Sequence, residues 1–182
     1  MNTCLIVIDL QNDYFPGGNM ELVGIEAAAA NARLLLDRQR ETGSAVIHIQ
    51  HIAARPGATF FLPETTGAAI NEQVAPRENE IVVQKNYPNS FRDTSLLEIL
   101  QQGKVDNLLI CGAMSHMCID ASVRAAFDFG FTCLVAEDAC AARDLEFKGR
   151  TINAADVHAS FMAALAVPYA RVIATKEVLE NI

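Results

Sequence analysis

The sequence predicts a single-domain α/β fold: a doubly wound parallel sheet of about six strands, in the order 3-2-1-4-5-6, with helices on both faces. Three observations lead there. Apolar runs of strand length alternate with stretches of helical spacing along the chain, the pattern of parallel strands joined by right-handed crossovers. The first run, Leu5-Ile6-Val7-Ile8, is continuous rather than alternating, as in a strand covered on both faces. And 182 residues with no internal repeat or linker suit one domain spanning 1–182.

Taken in order, Cys4–Leu10 reads as the first strand. Leu22–Thr42 reads as a helix, because Leu22, Ile25, Ala29, Ala32 and Leu36 share a face and Gly43 supplies a stop. Ala45–His51 is the second strand. An irregular stretch rich in Pro, Gly and Phe follows, Arg55–Thr66, with the character of a lid or subunit contact. A short helical segment near Ala68–Val74 leads to the third strand, Ile81–Lys85. Asp93-Thr94-Ser95 offers caps for a helix over Leu96–Gln102. Asn107–Cys111 is the fourth strand and Cys118–Phe129 a helix that Gly130 ends. Phe131–Ala136 is the fifth strand, Phe147–Leu165 a long helix, Arg171–Ala174 a sixth strand and Lys176–Leu179 a last helical turn.

Composition excludes several function classes. A net charge of −8 argues against nucleic acid, whose phosphates need a basic face. No apolar stretch approaches the ~20 residues of a bilayer span. Asp9 interrupts the opening where a signal peptide needs apolar residues. The five cysteines, at 4, 111, 118, 133 and 140, include no Cys-x-x-Cys pair. Reduced thiols in the cytoplasm are the expectation.

In doubly wound sheets, ligands bind beyond the carboxyl ends of the strands, near the reversal of strand order. Asp9 ends the first strand, Lys85 ends the third, and Cys118 follows the fourth. Strands one and four are neighbours in the expected order, so Asp9 and Cys118 fall together. Lys85, farther along the sheet, must arrive by its long stem. Each residue alone has a plain structural reading: a turn-capping Asp, a solvated Lys, a small buried Cys. Together they complement one another. A thiol of pKa ~8.5 needs help to become the nucleophilic thiolate. The start of the helix 118–129 and a nearby ammonium would favour that anion. Asp9 could take the thiol proton and return it to a leaving amine, and helix-end amides could form an oxyanion hole.

The segment Leu5–Phe15, the block Lys85-Asn86-Tyr87-Pro88-Asn89-Ser90-Phe91 with Arg92–Leu96 after it, and Gly112-Ala113-Met114-Ser115-His116-Met117-Cys118-Ile119 resemble three signature blocks of the isochorismatase-like cysteine hydrolases, in the same order. The resemblance implies a catalytic triad of Asp9, Lys85 and Cys118 and a non-proline cis peptide at Ala113–Met114. It also implies an oxyanion hole from the Met114 and Cys118 amides. Ser115 stands where the family commonly has threonine. Retention of the cysteine favours C–N hydrolysis of a small molecule through a thioester-type intermediate. Isochorismate pyruvate-hydrolase (vinyl ether cleavage) and a non-catalytic binding subunit remain as alternatives. No cofactor is implied. Family members with a metal carry an Asp-x-His pattern after the second strand, which here reads His48-Ile49-Gln50-His51-Ile52-Ala53 without the carboxylate. His48 and His51 would point to opposite faces of a strand, so no metal is expected. Phe15, His51, Phe61, Tyr87, Phe91 and His116 are the candidate substrate contacts, and a homo-oligomer (dimer or tetramer) is expected from the family.

Overall fold

The protein is described by a computed structural model covering residues 2–181. In chain order the elements are β1 (Thr3–Ile8), α1 (Ile25–Thr42), β2 (Ala45–His51), β3 (Ile81–Lys85), α2 (Leu96–Gln102) and β4 (Asn107–Ala113). They continue with α3 (Asp120–Asp128), β5 (Thr132–Ala141), β6 (Leu145–Phe147), β7 (Arg150–Ile152), α4 (Ala154–Leu165), β8 (Arg171–Ile173) and α5 (Thr175–Asn181). Six strands form one sheet, β3-β2-β1-β4-β5-β8, with every neighbouring pair parallel. This is the expected topology, with β8 as its sixth strand because a small antiparallel hairpin, β6–β7, intervenes.

The continuous apolar run of β1 feeds two cores. Leu5 and Val7 pack against α1 and α5 through Leu35, Leu36 and Val178. Cys4, Ile6 and Ile8 pack on the other face against α2, α3 and α4 through Leu100, Val123 and Leu165. Side-chain alternation along the strand assigns the faces. Each fully buried leucine here contributes on the order of 2–5 kcal/mol by comparison with alanine. Among the described residues no helix is long and apolar enough to cross a membrane.

Several boundaries move from their expected places, each for a local reason. β1 stops at Ile8 because Asp9 adopts φ 51°, a left-handed conformation that turns the chain out of the sheet. Leu22 is buried but lies outside α1, which begins after Gly24 at φ 73°. The segment near Ala68–Val74 forms two separate 3-10 turns, Thr66–Ala68 and Glu72–Val74. β5 runs on to Ala141, across an irregularity in its pairing with β4. The expected helix from Phe147 starts only at Ala154, where Asn153 accepts a hydrogen bond from the Asp156 amide at 2.9 Å and caps it. Residues 145–152 form the hairpin instead.

Candidate active site

Asp9 and Lys85 come together although a strand lies between them. Asp9 follows β1 and donates its amide to Ile49 O of β2 at 3.0 Å. Lys85 is the register partner of His51, one strand farther out. The lysine stem crosses β2 and places Nζ 2.7 Å from Asp9 Oδ2, with both side chains fully buried. The same ammonium meets His51 Nδ1 at 3.2 Å and the carbonyls of Tyr87 and Pro88 at 3.1 and 3.3 Å. An ammonium only donates, so His51 Nδ1 accepts and the ring carries its proton on Nε2. Burial, with the Lys85 and Arg55 charges, keeps the His51 pKa below its ordinary value against the pull of Asp9.

Cys118 arrives from the other side. β4 ends at Ala113, the Ala113–Met114 peptide is cis, and a π-helical turn covers Ser115–Ile119 before α3 begins. In that turn the Ile119 amide reaches back five residues to Met114 O at 3.2 Å. Gly112, at φ 126°, lets β4 approach β1 at the strand-order reversal, where a Cβ would run into the Ile8 carbonyl. The ligand atoms of Cys118, Asp9 and His51 all lie within 4.8 Å of one another.

The electrostatics correct one expectation. Burial pushes the Cys118 thiol well above its ordinary value and the Asp9 carboxylate pushes it further, while Lys85 offsets this only in part. Desolvation outweighs the nearby cation in setting that direction. Burial alone would depress Lys85, but Asp9 and Cys118 outweigh it and hold the ammonium above its usual value. Asp9, His51 and Cys118 are a set of donors a metal ion could use. The Lys85 ammonium already stands against all three, so a metal would have to displace a paired cation.

Above these groups opens a cavity of about 250 Å³. Its floor holds His51, Met114 and Cys118, and its walls include Tyr14, Phe60, Tyr87, Pro88 and Met117, with Arg55 and Asn86 adding polar groups. Of the expected contacts, His51 and Tyr87 line it. Phe15 does not: the 3-10 turn Asn12–Tyr14 points Tyr14 into the cavity and leaves Phe15 in the α1-side core. Phe61 stands one layer back, 4.5 Å from the Tyr14 ring and 5.9 Å from His51. Phe91 packs with Phe129 and Phe131 at the α3 face. His116 turns away to the edge of Phe161 in α4, while Met117 and Cys118 of the same turn face the cavity.

The residues that sequence reading missed are those that hold the cavity together. Gln11 donates to His51 O and Ala68 O at 2.8 and 2.7 Å and accepts from the His51 amide at 2.7 Å. Buried Asp13 accepts from Asn19 and, at 2.6 Å, from the Phe61 amide. A Cβ at Gly67 would run into that carboxylate. The segment 53–61 is thus tied to the end of the strand that bears Asp9. The available clue was a run of three amide and acid side chains directly after an apolar strand.

The family model described as the isochorismatase domain matches residues 3–175. The uncharacterized isochorismatase family protein YddQ of Bacillus subtilis is 49% identical, covering 99% of this chain and 100% of the relative. The secreted isochorismatase effector Isc1 of Verticillium dahliae is 30% identical over 97% of this chain and 90% of its own length. Maleamate amidohydrolase of Pseudomonas putida is 30% identical over 74% of this chain and 70% of its own. A crystal structure of a putative isochorismatase hydrolase from Oleispira antarctica superposes with a TM-score of 0.95 at 49% identity, covering 98% of this chain and 96% of that one. With a matching model across nearly all of its length and the same fold in a relative of near-half identity, the chain belongs to the isochorismatase family.

Proposed function

We propose that the protein is a cysteine amidohydrolase that cleaves a C–N bond of a small molecule through a thioester intermediate on Cys118. One observation carries the reading: a buried carboxylate–ammonium pair lies beside a thiol on the floor of a small, mostly apolar cavity. Asp9 takes the Sγ proton as sulfur attacks the carbonyl carbon, so the thiolate forms only as it is consumed. The Met114 and Cys118 amides receive the developing oxyanion. Protonated Asp9 then gives its proton to the leaving nitrogen and the C–N bond breaks. A water enters, Asp9 accepts its proton, and attack on the thioester releases the acid and restores the thiol. Lys85 stabilises the charged forms of Asp9 and Cys118 in turn without giving up its proton. No step draws on a cofactor. The similarity to maleamate amidohydrolase supports C–N cleavage.

The similarity to Isc1 favours a second reading, vinyl ether cleavage of isochorismate, and a binding subunit without turnover is a third. The test is turnover of a panel of small amides, ureides and isochorismate by wild type and Cys118→Ala. Release of ammonia or amine that falls by at least ~10³-fold in the variant is the expected outcome. Pyruvate release from isochorismate that survives the substitution would replace the covalent mechanism with the vinyl ether reading.

A further inference from the structure

The turn that carries Cys118 is gripped from behind by polar groups with no part in the chemistry above. Ser115, fully buried, donates its hydroxyl to Ala141 O at 3.1 Å and lies 2.8 Å from His158 Nδ1. The hydroxyl has one hydrogen and the carbonyl takes it, so the ring must donate and Nδ1 carries a proton. The far side of the ring, Nε2, lies 3.6 Å from Glu137 Oε2. Three elements meet here: the π turn through Ser115, β5 through Glu137 and Ala141, and α4 through His158. Ala141 is also the register partner of Ala113, so one end of β5 holds both the last residue of β4 and the first hydroxyl after it.

A buried hydroxyl paired with a half-buried imidazole is an expensive way to seat a helix, since the hydroxyl loses its water and an apolar contact would serve. What it provides is direction, with one allowed geometry at each donor and acceptor. Its position is three residues before Cys118, and none of Ser115, His158 or Glu137 lines the cavity.

We propose that Glu137, His158 and Ser115 form a positioning relay that sets the height and tilt of the Cys118 turn above Asp9, with His158 as its central positioning residue. The proposal rests on reading Cys118 as the nucleophile. Ser115 anchors the turn, His158 carries the restraint to α4, and the Glu137 carboxylate of β5 flanks the far ring nitrogen at ion-pair distance.

The experiment compares His158→Leu, which removes the donor, with His158→Asn, whose side-chain amide supplies an N–H near the Nδ1 position. Turnover is read on whichever panel compound the wild type hydrolyses, and the rate of Cys118 alkylation by iodoacetamide is read by mass spectrometry. Expected for His158→Leu is a loss on the order of 10²-fold in kcat, KM nearly unchanged and slowed alkylation, with His158→Asn recovering most of both. Ser115→Ala should show the same loss, and combining it with His158→Leu should add little. Wild-type kcat and alkylation in folded His158→Leu would overturn the relay. So would equal losses in Leu and Asn variants that add to that of Ser115→Ala, the mark of packing alone. If His158→Leu does not fold, Ser115→Thr against Ser115→Ala decides by the same readouts, with Thr expected to keep activity. Alkylation needs no substrate, so turnover that survives in Cys118→Ala would sink the nucleophile reading while leaving the relay still measurable.

Discussion

At the scale of single residues, Asp9 has two opposed effects on Cys118. As the base of the proposed mechanism it would accept the thiol proton, but as a neighbouring anion it raises the thiol pKa. Asp9→Asn separates them. Turnover should fall on the order of 10²–10⁴-fold, the usual worth of a general base. Alkylation of Cys118 should instead become faster at neutral pH, because Lys85 is left unopposed and the pKa comes down. Slower alkylation in that variant would show that Asp9 does not face the thiol. Lys85→Met should act in the other direction on the thiol and also leave a buried carboxylate uncompensated, a cost of roughly 3–5 kcal/mol, read by urea unfolding. The convergence of these residues was legible because the strand order brings the carboxyl ends of the strands and the turn after β4 to one place. The upward push on the Cys118 thiol was not legible, because desolvation depends on what the fold stacks over it.

At the scale of elements, the segment over the cavity depends on one buried carboxylate. Asp13→Ala would leave the Phe61 amide without its acceptor and free Asn19. A loss of about 1–3 kcal/mol is expected, together with a raised KM, since Phe60 and Ala58 form a wall of the cavity. An unchanged KM would mean that the segment does not close over substrate. Six strands and their order could be read from alternating patterns, which survive tertiary packing. The hairpin could not, because Phe147 falls on the same apparent helical period as Ala154, Val157 and Leu165, the buried positions of α4. Two local signs stood against it: Lys148 and Gly149, both at positive φ, and Asn153, suited to a cap. Sequence arithmetic also could not tell which of two adjacent aromatics, Tyr14 or Phe15, would face the cavity, since a single 3-10 turn decides it.

At the scale of the whole molecule, acid stability should be governed far from the cavity. Arg40 of α1, His48 of β2 and Glu80 meet in a buried cluster, with Arg40 and His48 2.7 and 2.9 Å from the carboxylate. Burial alone would raise the Glu80 pKa, but bonds from Arg40, the Arg77 amide and His48 overturn it and push it down to about 2. A depressed carboxylate stabilises the fold above its unfolded pKa of ~4.3 and loses that contribution as pH falls toward 2. His48, held below its usual value by burial, works in the same sense, because the unfolded chain takes up its proton first as pH drops. Unfolding free energy should therefore decline below about pH 6.5 and steepen below about pH 4.5, with Glu80 contributing on the order of 3 kcal/mol. Glu80→Gln should be less stable at neutral pH and should flatten the lower limb. An unaltered limb would place the acid sensitivity elsewhere. Gln11 and Asp13, by contrast, fasten the cavity wall to the same strand end that positions its floor. A compound that fits between wall and floor bridges two parts of one cooperative unit, so occupancy must register as resistance to heat. At a hundred times its dissociation constant a ligand adds about 2.7 kcal/mol. A melting screen of metabolite mixtures against Cys118→Ala, which in the proposed mechanism holds its substrate without consuming it, would then find the physiological compound by its binding alone.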